Sequence, residues 1–67
     1  MFAVNSSNIS HLGYANGIMK ARFRTGKEYE YYDVPADVFK AVLIADSVGK
    51  AFSELIKGIY KYKEVGQ

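Results

Sequence analysis

The sequence predicts an α+β fold, a three-stranded antiparallel β-meander packed by two α-helices, in a single domain spanning residues 1–67. Three observations predict it. Asn16-Gly17 lies between two extended stretches of alternating character. A second turn, containing Gly26, follows the next alternating run. From Pro35 onward the apolar residues recur at helical spacing instead.

The first hairpin is the best specified element. A type I′ turn needs φ > 0 at both central residues, and Asn-Gly is the pair that accepts this most readily. Centring the turn on Asn16-Gly17 sets Ala15 opposite Ile18, Tyr14 opposite Met19, Gly13 opposite Lys20 and Leu12 opposite Ala21. It then sets His11 opposite Arg22, Ser10 opposite Phe23 and Ile9 opposite Arg24. One face collects Leu12, Tyr14, Met19, Ala21 and Phe23, a core set. The other collects His11, Lys20, Arg22 and Arg24, a wet set. Side chains alternate with period two, so a slip of one residue would bury the arginines.

The second turn is read by the same rule. Pairing Arg24 with Glu28 sets Phe23 against Tyr29, Arg22 against Glu30, Ala21 against Tyr31 and Lys20 against Tyr32. The register one residue away would put Glu28 on the core face. Tyr29 and Tyr31 therefore point inward, and Tyr32 points outward beside Lys20. This register leaves Gly26 in the middle of a three-residue loop, which is not its usual place.

Helices occupy the second half. Pro35 suits a first helical turn, where its missing N–H is not needed. Val38, Phe39, Val42 and Leu43 repeat at helical spacing, and Asp37 lies near the positive end of the helix dipole. Ser47 is a good N-cap for a second helix. Its expected apolar face is Val48, Phe52, Leu55 and Ile59 with Ile56 alongside, and Gly58 is placed to end it. The tail from Ile59 to Val65 alternates again and can add a strand at the sheet edge.

Composition narrows the function classes. A chain of 67 residues buries a marginal core. It has no cysteine, so neither a disulfide nor a thiolate metal site can staple it. Dense aromatic packing and self-association remain as sources of stability. Six Tyr and four Phe suit the first, and a homodimer is expected from the second. The net charge of +2 argues against a strong polyanion binder. No signal-peptide pattern and no bilayer-length apolar run is present, so a cytoplasmic protein with no membrane contact is expected. His11 has no second His or Cys at metal-ligating spacing, and it reads as a solvated partner of Arg22. There is no nucleophile motif and no Gly-rich phosphate loop. The expectation is a protein that is not an enzyme and holds no cofactor or metal.

The order Gly13-Tyr14, Phe23, Gly26, Tyr29-x-Tyr31, Val34-Pro35, Ala45-x-Ser47-x-Gly49, Phe52, Ile56 and Tyr60 resembles the KTSC domain, from about Ser7 to Val65. That domain is a C-terminal appendage of some lysyl-tRNA synthetases and also stands alone in small bacterial and phage proteins. The resemblance implies a compact sheet with two helices. The synthetase association makes RNA a candidate ligand. Ser53 departs from the family pattern, where Asn is expected, so a site built on that Asn would differ here.

Three features can receive an anion. The first is the triplet Lys20, Arg22 and Arg24 on the wet face. Glu28 and Glu30 lie across from the two arginines in the register above and partly neutralise them. The second is the start of the second helix, where Ser47, Gly49 and Lys50 combine free N–H groups, close backbone access and a cation. A plain cap with a packing glycine explains the same residues. The third is Tyr60 to Lys63, where rings and ammonium groups alternate. Bases stack on such rings, although lysines also guard an edge strand from aggregation. The expected ligand is a phosphate-bearing nucleotide, either free and sequestered by a small oligomer or part of a single-stranded RNA. Ser47, Gly49 and Lys50 are the first candidate phosphate contacts, Arg22 and Arg24 the runners-up because Glu30 and Glu28 engage them, and Tyr32 or Tyr60 the ring for the base. The rival class is a protein–protein interaction module that uses the exposed Tyr32, Tyr60 and Tyr62.

Overall fold

The computed structural model describes residues 1–65. Its elements run β1 (Phe2–Ala3), β2 (Ile9–Ala15), β3 (Ile18–Phe23), β4 (Glu28–Tyr31), α1 (Ala36–Leu43), α2 (Val48–Leu55) and β5 (Tyr62–Glu64). The described strands form one antiparallel sheet in the order β1-β2-β3-β4-β5. The expected meander is thus the centre of a five-stranded sheet. The alternating tail supplies β5. The two-residue β1 is too short to carry a readable period.

The first hairpin has the expected register from Ala15↔Ile18 to His11↔Arg22. Asn16 and Gly17 both take positive φ, 54° and 80°, as the turn requires. Beyond His11 the expected pairing gives way. A bulge at Ser10 sets Ile9, and not Ser10, opposite Phe23. The reason is burial: without the extra residue Ile9 would face water, and with it Ile9 is fully buried in the core.

The second hairpin differs from its expected register by two residues. Met19 pairs with Tyr31, Lys20 with Glu30, Ala21 with Tyr29 and Arg22 with Glu28. The Phe23 N–H donates to Lys27 O, so Arg24, Thr25 and Gly26 form the loop, and Gly26 ends it at φ 97°. That third position is where a three-residue hairpin loop places its glycine. A shift of two preserves the faces, so Tyr31 is still buried and Tyr29 is half-buried. It changes the charge partners, however. Glu30 and Glu28 engage Lys20 and Arg22, and Arg24 has no carboxylate opposite it.

Tyr14 fastens the helices to the sheet. Its hydroxyl donates to Val34 O at 2.6 Å, and its ring stacks on Phe39 of α1 at 5.0 Å. The Val34 N–H donates to Gly17 O at 2.9 Å, which ties the first turn to the entry of α1. Pro35 is the N-cap of α1, one position before its expected place. Ser47 caps α2 as expected, its Oγ accepting from the Lys50 N–H at 3.3 Å. Val48, Phe52 and Ile56 are the buried face of α2. Leu55 and Ile59, expected on that face, are exposed. Residues spaced by four drift slowly round a helix, so Val48, Phe52 and Ile56 share one side and Leu55 falls on the flank. Ile59 lies past the end of α2, where the chain turns toward β5. Among the described residues no helix is long and apolar enough to cross a membrane.

Tyr31 is the ring that joins sheet to helix on the β4 side. It meets Phe52 edge-on at 5.3 Å and lies beside Tyr29 and Tyr62. Replacing Tyr31 with Ala is expected to cost about 3–5 kcal/mol, as for other buried aromatic truncations. Thermal denaturation followed by circular dichroism checks this, and an unchanged melting temperature would exclude Tyr31 from the core.

Candidate functional site

The two faces of the sheet differ in electrostatic character. On the face away from the helices, Arg22 Nη2 and Nε both lie 2.6 Å from Glu28 Oε2, and Lys20 Nζ lies 3.8 Å from Glu30 Oε2. Tyr32, half-buried, donates its hydroxyl to Glu30 Oε1 at 3.1 Å. Lys63 is the register partner of Glu30 on β5. Exposed pairs of this kind add little stability, but they neutralise the face. Phosphate would have to displace a carboxylate to bind Arg22.

The helix-bearing face is open at its β4–β5 end. A concave groove of about 690 Å³ lies there, floored by Phe23, Tyr29, Tyr31, Tyr62 and Phe52. The rings form one cluster. Phe23 meets Tyr29 edge-on at 5.6 Å and Phe52 edge-on at 5.8 Å. Tyr62 lies 5.7 Å from Tyr29 and 5.6 Å from Tyr31. Tyr62 is 61% exposed, so a large part of its ring is available to a ligand. Arg24, Lys27 and Lys57 stand at the rim, Ser7, Asn8, Thr25 and Ser53 add polar atoms, and no carboxylate is among the described lining residues. Such a surface offers apolar ring faces beside uncompensated positive charge.

Each cation is placed by a local feature of the chain. Arg24 and Lys27 flank or sit in the β3–β4 loop, which the position of Gly26 fixes. Arg24 Nε donates to Ser6 O at 2.6 Å, and the Arg24 N–H donates to Asn8 O. The loop before β2 is thereby pinned to this hairpin. Lys57 follows α2, where its N–H returns to Phe52 O.

The residues predicted from sequence fall in four places. Arg24 and Gly49 line the groove. Ser47 and Lys50 line an adjoining polar depression that Gly49 also borders. Arg22 and Tyr32 lie on the neutralised face. Tyr60 is half-buried ahead of β5 and packs against the core. Gly49 is needed for close approach, but the approach is internal: a Cβ there would lie 3.1 Å from Ser6 Oγ. Sequence reasoning missed Lys27, Lys57 and the groove-facing side of Tyr29; it counted Tyr62 among the alternating rings of Tyr60 to Lys63 but chose Tyr32 or Tyr60 for the base. The signal was present in the position of Gly26. The loop that suits this glycine carries Tyr29 two places further along β3, and β5 then brings Tyr62 beside it.

The comparisons with known proteins agree with this architecture. The KTSC domain family model matches residues 5–62, and the chain belongs to that family. An uncharacterized protein of Stutzerimonas stutzeri is 39% identical over 57 residues, covering 82% of this chain and 80% of its own. A protein of Tsukamurella paurometabola is 41% identical over 59 residues, covering 85% and 88%. The crystal structure of a KTSC domain protein from Yersinia pestis superposes with a TM-score of 0.91 at 32% identity, covering 96% of this chain and 93% of that one. Phe23, Tyr29, Tyr31, Gly49 and Phe52, five of the residues that carry the sequence resemblance, line the groove.

Burial, with the neighbouring Tyr29 and Tyr62 adding to it, raises the Tyr31 pKa from 10.0 to about 12. The folded chain therefore keeps this phenol neutral where the unfolded chain ionises it. The stabilisation is complete below pH 10.0 and is lost as the pH rises toward about 12. Replacing Tyr31 with Phe is expected to flatten the fall in stability over that window, as followed by denaturant titration at successive pH values. An equally steep fall in the variant would exclude Tyr31 as its source.

Proposed function

We propose that this chain is a non-enzymatic binding module for a phosphate-bearing nucleotide, either free or within single-stranded RNA. One observation carries the reading. The groove sets the exposed ring of Tyr62 and the half-buried ring of Tyr29 beside Arg24, Lys27 and Lys57, with no carboxylate among its described lining residues. Every base has a π-face that stacks on such rings, and stacking contributes about 1–3 kcal/mol per base. Cations that are not neutralised by a neighbour are free to meet phosphate oxygens. The two ion pairs among the described residues, Lys20–Glu30 and Arg22–Glu28, lie on the opposite face. Three rim cations and a net charge of +2 suit a ligand with few phosphates better than a long polyanion.

Calorimetric titration with nucleoside monophosphates and with short single-stranded RNA tests the reading. Tyr62→Ala is expected to weaken binding by about tenfold to a hundredfold, the loss of one stacked base. Lys57→Glu is expected to weaken it by about tenfold or more, because hydrogen bonds to charged groups contribute about 1.5–3 kcal/mol. Lys20→Glu, on the other face, should leave a free nucleotide's affinity unchanged. Failure of the wild type to bind any of these ligands would overturn the proposal and favour a protein partner for the exposed rings.

A further inference from the structure

The aromatic groove does not end at its own rim. Ser7, Asn8, Gly49 and Ser53 line both this groove and the polar depression at the start of α2. The two hollows are therefore neighbours along one path, about 690 Å³ and about 390 Å³ in volume. Ser53, exposed on α2 and bordering both hollows, forms the saddle between them and raises no large side chain; Gly49, which also borders both, has Ser6 Oγ packed over it.

The two halves have different chemistry. The first offers rings and cations with no carboxylate among its described lining residues. The second has no aromatic residue in its lining. It presents Asn5, Ser6, Ser47 and Lys50 together with the carboxylate of Asp46. A carboxylate beside an ammonium makes this end nearly neutral, so it is a poor seat for a second phosphate. Its alternation of donors and acceptors suits sugar hydroxyls and the polar edge of a base. A nucleotide stacked in the first half has its phosphate among the rim cations. The nucleoside linked through that phosphate then has a polar hollow to enter across the saddle.

We infer that the site is bipartite and takes a ligand of at least two linked nucleotides. The first base stacks in the aromatic half, and the second nucleoside is held by hydrogen bonds in the polar half. The inference rests on the nucleotide-binding reading above and extends it from a single nucleotide to a linked pair. Asp46 is the residue in the polar half that can only accept, so it favours a sugar hydroxyl or an exocyclic amine there.

The experiment is a calorimetric comparison of adenosine 5′-monophosphate, the 5′-phosphorylated adenine ribodinucleotide and an oligoadenylate of about six nucleotides, a length within the usual range for single-strand sites. The dinucleotide is expected to bind at least about tenfold more tightly than the monophosphate, a factor equal to about 1.4 kcal/mol. Lys50→Trp, which fills the polar half from an exposed helix position outside the aromatic groove, should remove that advantage and leave monophosphate affinity intact. Asp46→Ala should reduce dinucleotide affinity alone. A longer oligomer no tighter than the dinucleotide marks a short free ligand. A tighter one marks a strand that continues past both hollows. Equal affinity of wild type for monophosphate and dinucleotide would overturn the bipartite site while leaving nucleotide binding in place. Equal loss of both ligands in Lys50→Trp would overturn it as well. Binding of neither ligand would overturn the inference together with the reading on which it rests.

Discussion

The constraint on which this structure depends is that its helices are too small for its sheet. Each helix has eight residues, so each is about 12 Å long. The five strands span about 19 Å from edge to edge at ordinary strand spacing. Two short helices cannot cover that face. Val42, Val48, Phe52 and Ile56 close the part over the central strands, and large rings must fill the margin. Tyrosine suits such a margin because its ring can be buried while its hydroxyl reaches water or a backbone acceptor. Tyr14 does this on one side, donating to Val34 O, and the buried ring of Tyr31 fills the other beside Tyr62.

The same shortfall produces the candidate site. Past Phe52 the helices give no further cover, and the rings of Tyr29 and Tyr62 form the floor of a groove instead of the interior of a core. The charge pattern follows from register. The pairing that seats Gly26 at the end of its loop sets Glu28 and Glu30 against Arg22 and Lys20. Both carboxylates are thereby used on the outer face, and the groove keeps its cations. The strand face that looks most basic in the sequence is thus the neutralised one. Self-repulsion among Arg24, Lys27 and Lys57 is mild at the exposed rim, since water and salt screen it.

Much of the architecture was legible in the sequence. Asn16-Gly17 specified the first hairpin, Ser47 marked the second helix, and face parity put Tyr31 in the core. What escaped has identifiable causes. The bulge at Ser10 is dictated by the burial of Ile9, a tertiary demand that local alternation does not express. The second hairpin pairs two residues from its expected register because face parity cannot tell registers that differ by two. The position of Gly26 carried the missing information. The exposed flank of α2 was overestimated as core because Leu55 and Ile59 fit an apolar stripe, whereas the sheet accepts only the narrower set of Val48, Phe52 and Ile56. For the site, sequence reasoning reached Arg24 and Gly49 but placed the base on Tyr32 or Tyr60. The ring cluster exists only after β5 pairs with β4, which is a long-range event.

The central claim is that the open end of the helix-bearing face, and not the charged outer face, receives a nucleotide. Residue-resolved NMR during titration with adenosine 5′-monophosphate tests it most directly. The account predicts that the ring signals of Tyr29 and Tyr62 and the amides of Lys27, Ser53 and Lys57 shift together along one binding curve. Signals of Lys20, Arg22 and Tyr32 should stay in place. Shifts confined to Lys20, Arg22 and Tyr32, or no saturable shift anywhere, would contradict it.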